Sequence, residues 1–359
     1  MKKISGIIIV ALMCCFAGVA LAKPVPGIKG LPAFSGHPVP DSPALLQWPD
    51  DHKTTLPNLT DQSGDRLYDL HGRIANCQDI DLIVSTEGNY NMALGEYWQT
   101  VFLKQNMQEV KSWYYTTSPP IAVEQIKNTN LTIGNLDLGC RPQIAIGNKK
   151  IMKKLVDAKV IDGTPVPIKQ TRGNVLLVKK GNPKHIRTIW DLGRPDVHVV
   201  TPNPWIERGA FTNYTKSIYH IAQKDPHPPK GWNADRLFNA IFGAKAKKGK
   251  WLYGDRIHHR DEPQAVAYGH ADAAMIMYQL GHYTMKSFPD KFDIIPLGGS
   301  VDDPKPLPGS VIGTSFMAKI KGHWTARQQR AQQALWQGLQ SQTFMDILVK
   351  YGMKGIPQD

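Results

Sequence analysis

The sequence predicts an α/β protein built on parallel sheets with crossover helices and long enough for two lobes. Three observations carry that expectation. The stretch DLIVSTEGNYNMALGEYW, from Asp81 to Trp98, reads as a buried strand that turns into an amphipathic helix. Its strand is Leu82, Ile83 and Val84, its turn is small and polar, and its helical stripe is Met92, Ala93, Tyr97, Val101 and Phe102. Strand and helix patterns then alternate along the chain, as a parallel sheet with helical crossovers requires. A content of 42% apolar residues in a chain of 359 supplies substantial cores.

In chain order, Lys2 and Lys3 precede an apolar run from Ile7 to Val19 that closes on Ala20-Leu21-Ala22, the small-x-small pattern of a signal peptidase site. The run is shorter than the roughly 20 apolar residues of a membrane span. Residues 1–22 therefore read as a signal peptide and the mature chain as 337 residues exported to the periplasm. Met13 before Cys14 does not fit a lipidation site. Cleavage leaves Cys77 and Cys140 in an oxidising compartment, where they form either a disulfide or two buried thiols. It also leaves 41 basic against 30 acidic residues, a balance that favours anionic partners. Export sets nucleic acid aside. The densest basic run, Lys245 to Lys250, is Gly-flanked and reads as a solvated loop.

Residues 23–66 are proline-rich without periodicity and read as an extended arm; LYDLHG, from Leu67 to Gly72, begins the ordered body. After the first strand and helix comes an aromatic strand, Val110 to Tyr115. It ends at the hydroxyls Thr116, Thr117 and Ser118 before Pro119-Pro120 and a helix over 121–127. Ile144 to Ile146 is a strand and Lys149 to Ala158 a helix. Asn174 to Val178 and Val197 to Val200 are strands, the second followed by Thr201-Pro202-Asn203-Pro204 and a helix from Glu207 or Arg208 to Ala222. A broad insert covers 225–255. His258 to Gly269 is helical in pattern, Ala273 to Tyr278 and Phe292 to Pro296 are strands, and two helices close the chain.

Three segments then acquire meaning together: NVLLVKKGNPKHIRTIWDLGRPDVHVV at Asn174–Val200, GHADAAMIMYQ at Gly269–Gln279 and SQTFMDILVKYGMKG at Ser341–Gly355. Their content and order resemble the type II periplasmic solute-binding proteins of ABC transporters, and within them the molybdate-binding branch. The resemblance implies a two-lobed periplasmic-binding-protein-like fold with two crossover strands. Lobe 1 would hold 67–172 and 296–359, and lobe 2 would hold 173–295. It also implies a solute trapped in the cleft by hinge closure. Its binding positions fall on Asn89 and Tyr90 in the first turn, Thr117 and Ser118, the turn with Asn203, Trp205 and Arg208, and Tyr278 at a strand end.

This chain departs from that branch by offering Asn89 and Tyr90 in place of a serine, and Trp205, Glu207 and Arg208 in place of a small neutral loop. Asn89 suits a ligand or a helix cap. Thr117 and Ser118 suit a ligand or a turn. Arg208 suits a bidentate bond to an oxyanion or an ion pair with Glu207. Tyr278 is either a ligand donor, the preferred reading, or a hinge contact. His259 and Arg260 open a helix expected near the cleft. Adjacent histidines diverge on a helix, so a metal site from His258, His259 and Glu262 is the minor alternative and no metal or cofactor is expected. No nucleophile elbow, zincin or phosphate-loop motif is present, and no enzyme is expected. The expected partners are a small anion, a molybdate-like oxyanion or related, and an inner-membrane ABC permease. An organic carboxylate or metal is the alternative solute, a membrane sensor the alternative partner and a hydrolase the lesser alternative; the binder itself is expected to be a monomer.

Overall fold

The computed structural model describes residues 27–31, 34, 36–40, 46, 80–116, 120–133 and 136–357. The expected signal peptide, most of the expected arm, Leu67–Gly72, Cys77, Thr117 and Ser118 lie outside them. In chain order the elements begin with β1 (His37–Pro38), β2 (Leu82–Ser85), α1 (Asn91–Tyr97), β3 (Trp113–Tyr115), α2 (Val123–Asn128), β4 (Leu131–Ile133) and β5 (Leu136–Leu138). They continue with β6 (Ile144–Asn148), α3 (Lys149–Asp157), β7 (Ile161–Gln170), β8 (Asn174–Lys179), β9 (Val199–Thr201), α4 (Arg208–Lys224) and α5 (Ala234–Phe242). The remainder is β10 (Trp251–Tyr253), α6 (His258–Ala267), β11 (Ala273–Met277), α7 (Tyr278–Ser287), β12 (Phe292–Pro296), β13 (Thr314–Ile320), α8 (Ala326–Gly338), α9 (Gln342–Lys350) and β14 (Lys354–Gly355).

The strands form two six-stranded sheets, β1-β10-β9-β11-β8-β12 and β14-β7-β13-β6-β2-β3, and a β4-β5 hairpin. Each sheet is the floor of one lobe, called here the first and second lobe in that order of sheets, so that the first lobe carries the residues expected in lobe 2 and the second lobe those expected in lobe 1. Neither sheet is purely parallel, which corrects the simplest sequence reading. The pairs β9/β10, β9/β11, β2/β3 and β2/β6 are parallel, whereas β8 and β13 run antiparallel to their neighbours. The reason is topological: β8 and β13 are the strands by which the chain arrives from the opposite sheet, not from a helical crossover on the same one.

Burial follows the periodicities. In the first lobe α4 turns Phe211, Tyr214, Ile218 and Ile221 onto the sheet, and α5 adds Leu237, Phe238, Ile241 and Phe242. Each such side chain stabilises the fold by about 1.5–3 kcal/mol. In the second lobe, Trp98, Phe102, Leu335 and Phe344 cover one face of the sheet, and Met152 and Leu155 pack in a separate cluster with Ile83. The start of β2 is fixed by polar bonds: Asp81 Oδ2 accepts from the backbone N–H of Lys111 and Ser112 and from Arg327.

Several elements were not legible beforehand. β7 carries Pro165 and Pro167 and reads poorly as a strand, yet its outer neighbour β14 pairs only with Gln170 and Lys169. The proline stretch therefore lies at an open edge, where a missing N–H is tolerated. The 225–255 insert contains α5 and β10. Lys250 does not belong to a solvated loop: it is buried, and its Nζ donates to the carbonyls of Leu192 (2.6 Å), Arg194 (2.7 Å) and Val197. The described part of the arm lies on the first lobe, where β1 pairs parallel with β10 and Phe34 sits among Phe211, Phe238, Phe242 and Trp251 at 5.0–5.8 Å between ring centres. Cys140 is disulfide-bonded, and its partner lies outside the described residues. Among the described residues no helix is long and apolar enough to cross a membrane.

The chain passes between sheets twice, through 171–173 and 297–313. The two connections are tied together. Thr171 N–H donates to the Gly313 carbonyl, Gly313 N–H donates to Thr171 Oγ1, and Arg172 pairs with Asp303. Gly173 sits at φ +83° with Pro306 so close that a Cβ would lie 2.9 Å from it. Both the left-handed backbone and the contact require glycine there.

Candidate functional site

A cleft of about 430 Å³ opens between the two sheets, lined from both lobes. The second lobe supplies Glu87 and Gly88 from the turn after β2, Asn148 and Ile151 at the start of α3, Lys169 and Thr171 at the end of β7, and Thr314 and Ser315 from β13. The first lobe supplies Ile206–Ala210 and Asn213 around the start of α4, His258 and His259 at the start of α6, and Met277 at the end of β11. The strand ends and helix starts converge here because β2, β6, β9 and β11 hand directly to helices or helical turns at this rim.

On the second-lobe wall the charged groups form one unit. Lys169 is 1% exposed, its Nζ lies 3.8 Å from Glu87 Oε1, and it stands over the Tyr90 ring at 4.6 Å. Burial pushes the ammonium below the ordinary lysine range, and the neighbouring Glu87 charge opposes that shift. Ser315 Oγ donates to Glu87 Oε1 at 2.5 Å. The start of α3 is already satisfied, since Asn148 Oδ1 accepts from the N–H groups of Lys150 and Ile151.

On the first-lobe wall, α4 starts without a side-chain cap. Its first-turn N–H groups have no partner within the helix, and Arg208, Gly209 and Ala210 line the cleft. The Arg208 guanidinium reaches the Gly27 carbonyl of the arm at 3.2 Å. Glu207 is drawn the other way: its carboxylate accepts from His258 N–H at 2.5 Å and from His258 Nδ1 at 3.0 Å. That bond places the His258 proton on Nδ1 and leaves Nε2, which has no partner. His259 Nδ1 is also buried without a partner. Burial, then the nearby His258 and Arg260, hold the His259 ring well below the usual histidine range, so it is neutral. In the same helix Glu262 is fully buried with neither oxygen bonded. Burial, reinforced by Glu207 and Asp261, pushes its carboxyl well above the carboxylate range and keeps it protonated.

Of the residues singled out from sequence, Arg208 and His259 line the cleft, and Gly88 beside Asn89 does so too. Asn89 lies in the 3-10 turn Gly88–Tyr90. Tyr90 lies outside the cleft lining: it is fully buried, its hydroxyl is bonded to Thr86, and Lys169 stands over its ring. Asn203 spends its side chain locally, accepting from Trp205 and Ile206 N–H and donating to the Gly254 carbonyl. Trp205 packs edge-on against Tyr253, and Arg260 lies outside the lining. Tyr278 does not line the cleft; it is buried beneath the Arg172 guanidinium at 5.6 Å, with its N–H bonded to the Gly173 carbonyl. Thr117 and Ser118 lie outside the described residues; Thr116 beside them exchanges bonds with Thr86. Among the described residues no group of histidine, cysteine and acidic side chains is arranged to hold a metal ion.

Glu87, Lys169 and Ser315 escaped sequence reading. Glu87 carried a signal, an acid in the turn of the first strand and helix. Lys169 and Ser315 carried none, because their burial comes from strand pairings that join residues more than 140 apart in sequence.

Residues 139–354 match the family model of bacterial extracellular solute-binding proteins. Among solved structures, the sulfate-binding protein SubI from Mycobacterium tuberculosis H37Rv is similar at TM-score 0.51 and 14% identity, covering 77% of this chain and 86% of that one. The binding protein AgtB from A.tumefacien R10, in complex with agropinic acid, is similar at TM-score 0.50 and 12% identity, covering 76% and 82%. The periplasmic molybdate-binding protein of Azotobacter vinelandii is similar at TM-score 0.48 and 14% identity, covering 77% and 100%. No curated protein sequence matches the chain.

Proposed function

The chain belongs to the bacterial extracellular solute-binding proteins, and from that premise we propose that it captures a small anionic solute between its lobes for ABC-type uptake. Members of this family bind solutes and do not catalyse reactions. The observation that carries the anion is the meeting, in one cleft, of the uncapped start of α4 with Arg208 on one wall and the buried Lys169 ammonium on the other. Free N–H groups at a helix start and a guanidinium replace the hydration of an anion at little reorganisation cost. The fold is shared with a sulfate binder and with a protein holding agropinic acid, so metal oxyanions such as molybdate and organic acids both belong in the first screen.

The lobes divide at the 171–173 and 297–313 connections, and hinge motion there closes the cleft. The protein acts as a monomer after cleavage behind Ala22, with an inner-membrane permease as its acceptor. The test is a thermal-shift screen of the protein from Lys23 onward against molybdate, tungstate, sulfate, phosphate and small carboxylates. A native-state ligand at a hundredfold excess over its Kd adds about 2.7 kcal/mol of stability. Arg208→Ala is expected to weaken the responding anion about tenfold or more. An unchanged Kd in that variant refutes the assigned site.

A further inference from the structure

Beyond its anion donors, the cleft presents acceptors that a simple oxyanion cannot use. The Glu87 carboxylate lines the cleft beside its bonds to Ser315 and Lys169. His258 also lines the cleft, is 4% exposed, and has its Nδ1 fixed on Glu207 with Nε2 unpartnered. In the neutral ring Nε2 is a lone-pair acceptor. His259 Nδ1 adds a second buried, unpartnered ring atom on the same rim. A buried acceptor without a donor costs free energy, so these atoms call for N–H or O–H groups from a ligand. Sulfate and molybdate carry no proton at neutral pH and so cannot donate to these acceptors. The volume points the same way, since about 430 Å³ lies in the range that houses small organic molecules.

We propose that the solute is a small hydroxycarboxylate, its carboxylate held at the start of α4 with Arg208 and its hydroxyl donated to Glu87 and the His258 imidazole. This deepens the anion reading and rests on it. A hydroxyl is favoured over an ammonium because Lys169 already neutralises the Glu87 charge. The Glu207–His258 bond fixes the imidazole tautomer, so Glu207 acts as a positioning residue. Selectivity follows from the acceptors: a site built to bond a hydroxyl penalises the analogue that lacks one.

The test is calorimetry on the full mature chain at pH 7.5 with matched pairs, propionate against lactate and succinate against malate, alongside sulfate and molybdate. The hydroxylated member of at least one pair is expected to bind roughly tenfold to a hundredfold tighter than its partner. In Glu87→Gln that ratio is expected to fall to within about threefold, with circular dichroism confirming the fold. Should that variant not fold, the ratio in the natural protein still decides. Equal binding within every pair, or a tight complex with sulfate or molybdate alone, overturns the hydroxycarboxylate and leaves the anion reading standing. A ratio that survives Glu87→Gln overturns the role of Glu87. Absence of binding by every anion overturns both readings together.

Discussion

Replacing Lys250 by methionine measures a buried ammonium as a structural clamp. The Nζ of Lys250 closes the turn after the 3-10 helix Ile189–Gly193 by donating to three carbonyls, those of Leu192, Arg194 and Val197. Methionine keeps most of the apolar stem and removes the donor. The Arg194 carbonyl retains a bond from Val197 N–H at 3.1 Å, so the main loss falls on the other two. At about 1–3 kcal/mol for each buried acceptor stripped of its donor, the cost is roughly 2–6 kcal/mol. Relief from desolvating the ammonium returns part of that. The expected net destabilisation is about 2–3 kcal/mol, read as a lower urea midpoint with an unchanged slope. Lys247→Met and Lys248→Met in the same run are exposed and are expected to stay within about 0.5 kcal/mol. A Lys250→Met protein inside that band refutes the clamp.

Three further outcomes follow from packing and charge. Gly338→Ala adds a good helix former to α8 but sets its Cβ 2.0 Å from the hydroxyl of buried Tyr97, so thermal unfolding should show a loss of about 1–3 kcal/mol where helix propensity alone gives a gain. Phe34→Ala removes the ring seated among four aromatics and is expected to cost about 2–3 kcal/mol and to speed hydrogen exchange at β1; slow exchange there would show that other contacts hold the arm. Glu262 titrates above its unfolded value near 4.5, so its protonated form contributes fully below that value and the contribution is lost as pH rises through the folded one. Glu262→Gln should therefore be stabilising above pH 5 relative to the natural protein, by a margin that grows with pH. A margin independent of pH would contradict a protonated Glu262.

Sequence reading reached the strands and helices whose patterns are local. β2, α1, β12 and α4 fall where their apolar periodicity places them, because each is decided by residues within one or two turns. What it missed is decided by partners far along the chain. β7 is extended despite two prolines because β13 supplies one side and almost nothing the other. Lys250 and the neighbouring lysines are alike in sequence, and only the fold of 192–197 separates the buried one from the exposed ones. At the cleft, Arg208 and His259 were legible as charge and imidazole at helix starts. Tyr278, read as a ligand donor, lies against Arg172, which arrives from a different connection and is invisible in the local pattern.

The placement of β13 bears on how the chain acquires its shape. Strands β8 to β12 come from one unbroken stretch, 174–296, so that sheet lacks only the edge strand β1 of the arm once those residues are free to pair. The other sheet cannot close early, because its interior strand, residues 314–320, follows the whole 174–296 stretch in the chain and must slot between β6 and β7. Until it does, two strands expose unpaired backbone along facing edges, the surface on which chains stick to one another. The kinetic bottleneck, and the interval in which a newly exported chain most needs shielding from its neighbours, is thus the arrival of a seven-residue strand that follows the whole 174–296 stretch in the chain.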